Sequence, residues 1–272
     1  MFLTRLLSSV VLILIALCTL ILGGPLLAAV TFFIALVGYF ELVRATGIHT
    51  GGKINGLEAA GFLGITAYYA AMFLSGNAVL LCAVAVAVFM AGLGVYVITF
   101  PKYSSEKVME SFFHFIYAPV MLSFLYMTRE LQYGQYLVWL IFISSWGSDT
   151  CAYLVGMCIG RKKIFPVLSP KKSLEGCIGG VAGAGLLAAA YGYFLVESVV
   201  ENQTVTLILV FICMLGSIIS QIGDLAASAI KRNHDIKDYG KLIPGHGGIM
   251  DRFDSVIVTA PMIYFLAALL IQ

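Results

Sequence analysis

Acidic side chains near the C-terminus are spaced as ligands of a divalent cation would be. Asp224, Ser228 and Lys231 follow one another at i, i+4 and i+7, so they form one polar stripe on an otherwise apolar segment. Asp251 and Asp254 begin the next apolar segment and share a helix face as i, i+3 neighbours. If the two segments are antiparallel helices, Asp224 and Asp251 meet at similar depth and repel unless a cation lies between them. Oxygen ligands without a Cys or His pattern predict a hard ion such as Mg²⁺.

The loop between these two segments carries groups that bind anions. It contains Lys237 and a Gly-His-Gly-Gly run, in which His246, Gly247 and Gly248 shortly precede Asp251. Glycines before a helix let backbone N–H groups approach an anion at the helix N-terminus. A tight turn, an ordinary loop histidine and a lysine that only sets membrane orientation are the alternative interpretations.

A further acidic residue lies upstream in an apolar segment. Trp146, Asp149 and Tyr153 follow at i, i+3 and i+7, which places them on one face of a predicted helix. A carboxylate at mid-membrane costs about 2.5–3.5 kcal/mol on insertion scales, so it usually lines a polar cavity. The alternative is that Asp149 only joins helices, between aromatic residues at the membrane interface.

The loop after this segment offers more cations. Lys171 and Lys172 lie between Ser169 and Ser173, either of which could cap the next helix. Both lysines would then be able to meet an anion. Carboxylates, glycines and two basic loops together indicate metal-assisted handling of phosphate at one membrane face.

The elements that position these residues must be membrane helices. The 272 residues are 61% hydrophobic and 11% charged, which is too little polar surface for a soluble domain. Apolar runs of about 18 or more residues predict spans, and we predict an all-α, polytopic helical bundle. The predicted spans are 3–22, 25–43, 57–75, 78–100, 111–128, 131–158, 176–196, 203–230 and 249–271. We expect one integral membrane domain over 1–272, with an N-terminal bundle (1–140) and a motif-bearing part (141–272).

The basic residues predict the orientation of the bundle. Of the 16 Lys and Arg residues, only Arg5 and Arg129 lie on the side of the odd-numbered connections. The other 14 lie at the even-numbered connections: Arg44, Lys53, Lys102, Lys107, Arg161, Lys162, Lys163, Lys171, Lys172, Lys231, Arg232, Lys237, Lys241 and Arg252. The positive-inside rule therefore places the even connections in the cytoplasm and both termini outside.

The motifs resemble those of the CDP-diacylglycerol synthase family, also called phosphatidate cytidylyltransferases. The C-terminal signature is carried by Ser228, Lys231, Arg232, Lys237, Asp238, Pro244, Gly245, His246, Gly247, Gly248, Asp251, Arg252, Phe253 and Asp254. The upstream matches are Trp146, Asp149, Ala152, Tyr153, Ser169, Pro170, Lys171, Lys172, Glu175, Gly176, Gly223 and Asp224. The resemblance extends from Trp146 to Asp254, and residues 1–140 match only as apolar helices.

The resemblance implies the reaction CTP + phosphatidate → CDP-diacylglycerol + pyrophosphate. It implies dependence on Mg²⁺ and a site facing the cytoplasm in a bacterial inner membrane; no nucleic acid partner is expected. Asp224 and Asp251 would hold the metal and, with Lys231 and Arg252, carry catalysis, while Asp254 would assist at a second cation. The predicted substrate contacts are Asp149, Lys171, Lys172, Ser228, Arg232, Lys237, His246, Gly247 and Gly248. The existence of a second cation and of a homodimer stays open.

Other functions remain as alternatives. A cytidylyltransferase for ether lipids or a polyprenol kinase would use similar groups. The lipid tail decides between these enzymes, and the preference for a tail cannot be read from the sequence. A CDP-alcohol phosphotransferase is disfavoured because its D-G-x₂-A-R motif is absent. A transporter of anionic solutes also buries carboxylates, but it does not need a loop rich in Lys, Gly and His beside them.

Overall fold

Nine long helices make up most of the part of the chain that is described. The computed structural model describes residues 2–200, 204–243 and 247–271. The helices are α1 (Phe2–Leu22), α2 (Gly24–Ala45), α3 (Gly56–Ser75), α4 (Ala78–Thr99), α5 (Ser105–Arg129), α6 (Gly134–Ile159), α7 (Leu174–Val200), α8 (Val205–Asn233) and α9 (Met250–Leu270). One π-helical turn interrupts each of α5, α6 and α7, at Ile116–Val120, Ile143–Gly147 and Gly192–Val196.

Each predicted span coincides with one of these helices, so the all-α, polytopic membrane fold is confirmed. Within the described residues, α2 to α9 are long and apolar enough to cross a membrane, and α1 contributes the shorter apolar stretch Ile13–Leu22. The largest shift is at α5, which begins at Ser105 rather than at 111. Its first turn is polar, and Ser104 caps it by accepting the backbone N–H of Lys107. The orientation of the termini stays a prediction.

Packing divides the chain into two compact units. The first contains Met1–Ser123 with Ile236–Arg252, and the second contains Phe124–Asp235 with Phe253–Gln272. Two of the helices, α5 and α9, contribute to both units. The predicted single domain, with its division at 140, followed the motifs rather than the packing and stays a prediction.

The first unit is built around buried aromatic side chains. The ring of Tyr39 packs edge-on against Phe62 with centroids 5.3 Å apart, and its hydroxyl lies 3.3 Å from Ser111 Oγ. Pro119 lies within the π-helical turn of α5, where its lack of an N–H breaks the helical hydrogen-bond ladder. Tyr69 donates its hydroxyl to the Pro119 carbonyl at 3.0 Å. At these two places a polar group of the core is paired with a side chain of a neighbouring helix.

The second unit packs α6, α7 and α8 through small residues and short polar links. A Cβ at Gly183 of α7 would collide with Cys151 of α6, so these helices approach closely. Ser148 of α6 and Ser217 of α8 share a buried hydrogen bond of 2.6 Å. Gln221 of α8 donates to the carbonyl of Cys177 at 3.1 Å. These links fix the relative rotation of the helices that carry Asp149 and Asp224.

Candidate active site

A cavity of about 460 Å³ opens in the second unit between α6, α7, α8 and the connection before α7. We call that connection, residues 160–173, the basic loop. The charged and polar residues that line the cavity are Asp149, Tyr153, Lys163, Lys171, Lys172, Ser173, Gln221 and Asp224. Four of them, Asp149, Lys171, Lys172 and Asp224, were predicted as site residues. The sequence motifs separated by more than 70 residues therefore meet at one cavity.

An ion pair crosses this cavity. Lys172 Nζ lies 2.5 Å from Asp224 Oδ2, with 21% and 29% of the two side chains exposed. This contact places the ammonium charge directly against the carboxylate. Asp149 interacts electrostatically with both members of the pair. One ammonium thus faces two carboxylates in a partly enclosed space.

A third carboxylate lies within electrostatic range of the first two. The charge of Asp254, on α9, interacts with Asp149, Asp224 and Lys231. The approach of α8 to α9 depends on Gly223, where an added Cβ would lie 3.2 Å from the Asp254 carbonyl oxygen. We refer to Asp149, Asp224 and Asp254 as the acidic cluster. Its charge is partly balanced by the ammonium groups of Lys172 and Lys231.

The basic loop is held at both ends by the first turn of α7. The Glu175 carboxylate accepts the backbone N–H groups of Arg161 and Lys162, at 3.0 Å and 3.2 Å from Oε2. Ser173 Oγ accepts the N–H of Gly176 at 3.2 Å, so Ser173 is the cap of this helix. The alternative cap, Ser169, lies inside the loop. This anchoring leaves the Lys171 residue exposed, whereas Lys172 is half-buried against Asp224.

The first unit contains the other predicted ligand, Asp251. Its residue is 8% exposed, and Oδ2 accepts two backbone N–H bonds, from Tyr239 at 2.8 Å and from Gly248 at 3.0 Å. These donors belong to the connection before α9, and we call its described residues, 236–243 and 247–249, the glycine loop. Gly247 has φ of +91°, a left-handed conformation that favours glycine. At Gly247 the turn interpretation is therefore sufficient to explain the glycine.

The remaining predicted residues fall along α8, the glycine loop and α9. The last turns of α8 carry Ser228, Lys231 and Arg232. Ser228 and Lys231 therefore share one helix with Asp224, as the predicted polar stripe requires. Lys237 and Arg252 are exposed. Two residues of the Gly-His-Gly-Gly run, Gly245 and His246, lie outside the described residues, so their predicted roles stay predictions.

The acidic cluster has the donor chemistry of a Mg²⁺ site. Its polar groups are carboxylate oxygens alone, and Asp224 already attracts a cation in the form of Lys172. Among the described residues, no three His, Cys, Asp or Glu side chains converge closely enough to hold an ion by themselves. Mg²⁺ usually takes one or two carboxylates and completes its shell with water and substrate phosphates. The residues therefore fit the ion, and the predicted approach of Asp224 to Asp251, in separate units, stays a prediction.

The sequence as a whole matches an enzyme family. Residues 3–270 fit the pattern of the Cytidylyltransferase family, which is nearly the full chain. The chain belongs to the Cytidylyltransferase family. The resemblance inferred from the motifs is therefore confirmed.

Several relatives of this cytidylyltransferase family member are named phosphatidate cytidylyltransferase. The one from Bacillus subtilis (strain 168) is 40% identical over 138 residues, 51% of this chain and 49% of that protein. The one from Rickettsia bellii (strain RML369-C) is 36% identical over 157 residues, 57% and 67% of the two chains. The one from Staphylococcus aureus (strain COL) is 37% identical over 150 residues, 55% of each chain. The matched stretch thus spans about half the length of the Bacillus and Staphylococcus relatives.

Two residues of the first unit in this cytidylyltransferase family member were not predicted as site residues from the sequence. Glu41 and Arg44, both on α2, bind the glycine loop, and Glu41 is 4% exposed. A signal existed, because Glu41 is a carboxylate inside the predicted span 25–43. The rule that singled out Asp149 applies to it equally.

Proposed function

We propose that this protein transfers the cytidylyl group of CTP to phosphatidate, giving CDP-diacylglycerol and pyrophosphate. The observation that carries the proposal is the cavity in which Asp149, Lys172 and Asp224 meet beneath the basic loop, in a chain of this family. Such a cavity suits a pair of anionic substrates, one from the aqueous phase and one from the bilayer. The name shared by the relatives supports the same reaction.

The proposed chemistry is an in-line displacement at phosphorus. A phosphate oxygen of phosphatidate attacks the α-phosphorus of CTP and forms the new P–O bond. The bond from the α-phosphorus to the bridging oxygen breaks, and pyrophosphate leaves with its electron pair. Because the nucleophile is already an anion at neutral pH, no strong general base is needed. Catalysis then depends on positioning and on neutralising the phosphate charges.

Residues of the cavity would share this work with the predicted site residues of α8 and α9. Lys172, with Lys171, Lys231, Arg232 and Arg252, would bind phosphate oxygens as charge-assisted donors. Asp224, Asp251 and Asp254 stay the predicted ligands of Mg²⁺, and the bound ion would supply further neutralisation of the phosphate charge. Since Lys172 already contacts Asp224, its ammonium can exchange one anionic oxygen for another over a short distance.

The reaction can be tested with labelled nucleotide. We expect purified protein in detergent, given phosphatidate and Mg²⁺, to move label from base-labelled CTP into the organic phase and to release pyrophosphate. Chelation of the metal should stop both. Label from γ-labelled CTP in the lipid would instead identify a kinase, and solute flux in proteoliposomes without turnover would identify a transporter. An archaeal-type ether lipid as the preferred acceptor would identify the related synthase.

We also propose that the protein lies in a bacterial inner membrane with the cavity facing the cytoplasm. The proposal rests on the distribution of Lys and Arg among the connections. On a cysteine-free background, single cysteines at Lys163 and Lys237 should react only with reagent that reaches the cytoplasm. Cysteines at Val199 and Gln272 should react from outside. Labelling of Lys163 and Lys237 positions from opposite faces would contradict a shared cytoplasmic site.

A further inference from the structure

A buried glutamate on α2 binds the backbone at the start of α9. Glu41 Oε1 accepts the N–H of Ile249 at 3.2 Å, and Oε2 accepts the N–H of Met250 at 2.9 Å. Met250 is the first residue of α9, where backbone N–H groups lack partners within the helix. The carboxylate therefore caps α9 from a helix more than 200 residues away in sequence.

The glycine loop is shaped to receive this carboxylate. A Cβ at Gly240 or at Gly248 would collide with the carboxylate of Glu41, so only glycine lets the backbone come this close on both sides. Arg44, three residues further along α2, donates from Nη2 to the Tyr239 carbonyl at 2.8 Å. Two side chains of α2 thus hold the glycine loop, Arg44 at Tyr239 and Glu41 at Ile249.

The same loop binds Asp251. The N–H groups of Tyr239 and Gly248 both donate to Asp251 Oδ2, and these residues neighbour the backbone that Glu41 and Arg44 hold. We propose that Glu41 is a positioning residue, which fixes the glycine loop and the first turn of α9 so that the Asp251 carboxylate is held in one orientation. This inference rests on the proposed function, in which Asp251 is a metal ligand.

A purely structural role explains Glu41 less well. A carboxylate inside a membrane span is costly to insert, and a well-packed apolar side chain usually stabilises such a position at least as well. What an apolar residue cannot supply is two acceptors aimed at two adjacent N–H groups. Groups that orient a metal ligand characteristically change metal affinity when they are replaced.

Glu41→Gln tests the inference. The amide offers one acceptor oxygen and directs its NH₂ group at the second backbone donor. In the metal-free protein, amide hydrogen exchange of the peptide covering residues 247–252 should be faster by about tenfold. The Mg²⁺ concentration for half-maximal activity should rise by about tenfold or more. A sample that merely contained fewer folded molecules would show lower turnover with an unchanged Mg²⁺ dependence.

Glu58→Gln is the matched control. Glu58 is also fully buried in the first unit, but it accepts from the backbone of Asn55 and pairs with His49 instead of the glycine loop. It should lose stability without altering exchange at 247–252 or the Mg²⁺ dependence. If the Glu58 and Glu41 variants behave alike in both measurements, the positioning role is refuted.

Arg44→Ala keeps the inference testable if Glu41→Gln does not fold. Arg44 is exposed, and its loss removes the donor to the Tyr239 carbonyl, so exchange at residues 236–243 and the required Mg²⁺ should both increase. Unchanged values would overturn the inference. Absence of cytidylyl transfer in the wild-type protein would refute the proposed function instead. If the wild type is active and the Glu41 and Arg44 variants match it in amide exchange and in Mg²⁺ dependence, only the positioning role is refuted.

Discussion

Replacing Asp224 with Asn is expected to lower cytidylyl transfer by about two to three orders of magnitude, the scale of losing one strong electrostatic contact in a transition state. Asn keeps the size of the side chain but removes the charge that would bind Mg²⁺ and that now pairs with Lys172. Yield in the membrane should hold or rise, because removal of one charge from the acidic cluster relieves repulsion and an insertion cost. The measurement is label entering the lipid phase per mole of folded protein.

Asp251→Asn should lower cytidylyl transfer by a similar factor, and here the loss of charge can be separated from a loss of loop structure. Its Oδ2 accepts the N–H groups of Tyr239 and Gly248, and the amide oxygen of Asn can accept both. The glycine loop should therefore keep its conformation while the charge is lost. A protein that folds normally and binds Mg²⁺ weakly is the expected result.

Asp238→Asn is the comparison for both variants. Asp238 lies in the glycine loop and belongs to the same signature, but it is exposed. We expect a milder loss, because water already solvates this carboxylate. If Asp224→Asn and Asp251→Asn express poorly while the surviving protein turns over normally, both aspartates are structural and the metal hypothesis fails.

Much of the fold follows from the sequence because membrane spans depend on a one-dimensional property. A run of about 18 apolar residues specifies a helix almost irrespective of its neighbours, so each predicted span coincides with a helix. Caps are similarly local, which is why Ser173 was among the two candidates for the start of α7. Periodicity within one helix also placed Asp224 and Ser228 correctly on α8.

Features that depend on packing between helices were not predictable in the same way. The π-helical turn at Ile143–Gly147 contains Trp146 and ends two residues before Asp149, and it alters the rotation assumed from i, i+3 spacing. Trp146 packs on Phe142 and Phe253, whereas Asp149 and Tyr153 line the cavity. The partner of Glu41 lies 208 residues away, a pairing that no local pattern encodes.

Lys171 and Lys172 illustrate the same limit. Their different environments lead to the second large expected effect. The sequence assigns both to phosphate, but only Lys172 contacts Asp224, while Lys171 is exposed and contributes its carbonyl to Lys163 Nζ. Lys172→Gln should lower cytidylyl transfer by about a hundredfold or more, because it removes a donor from a partly enclosed site and leaves Asp224 without its cation. Initial rates at saturating CTP and phosphatidate provide the measurement.

Lys171→Gln is the matched control, since it removes the same charge one residue away. Its loss should stay below about tenfold, because water screens an exposed ammonium. The double variant Lys172→Gln with Asp224→Asn should be little worse than Asp224→Asn alone, since residues that act as a unit are strongly non-additive. Equal losses in the two lysine variants, or losses that multiply in the double variant, would mean that the ion pair has no part in the reaction and that the basic loop acts only through its overall charge.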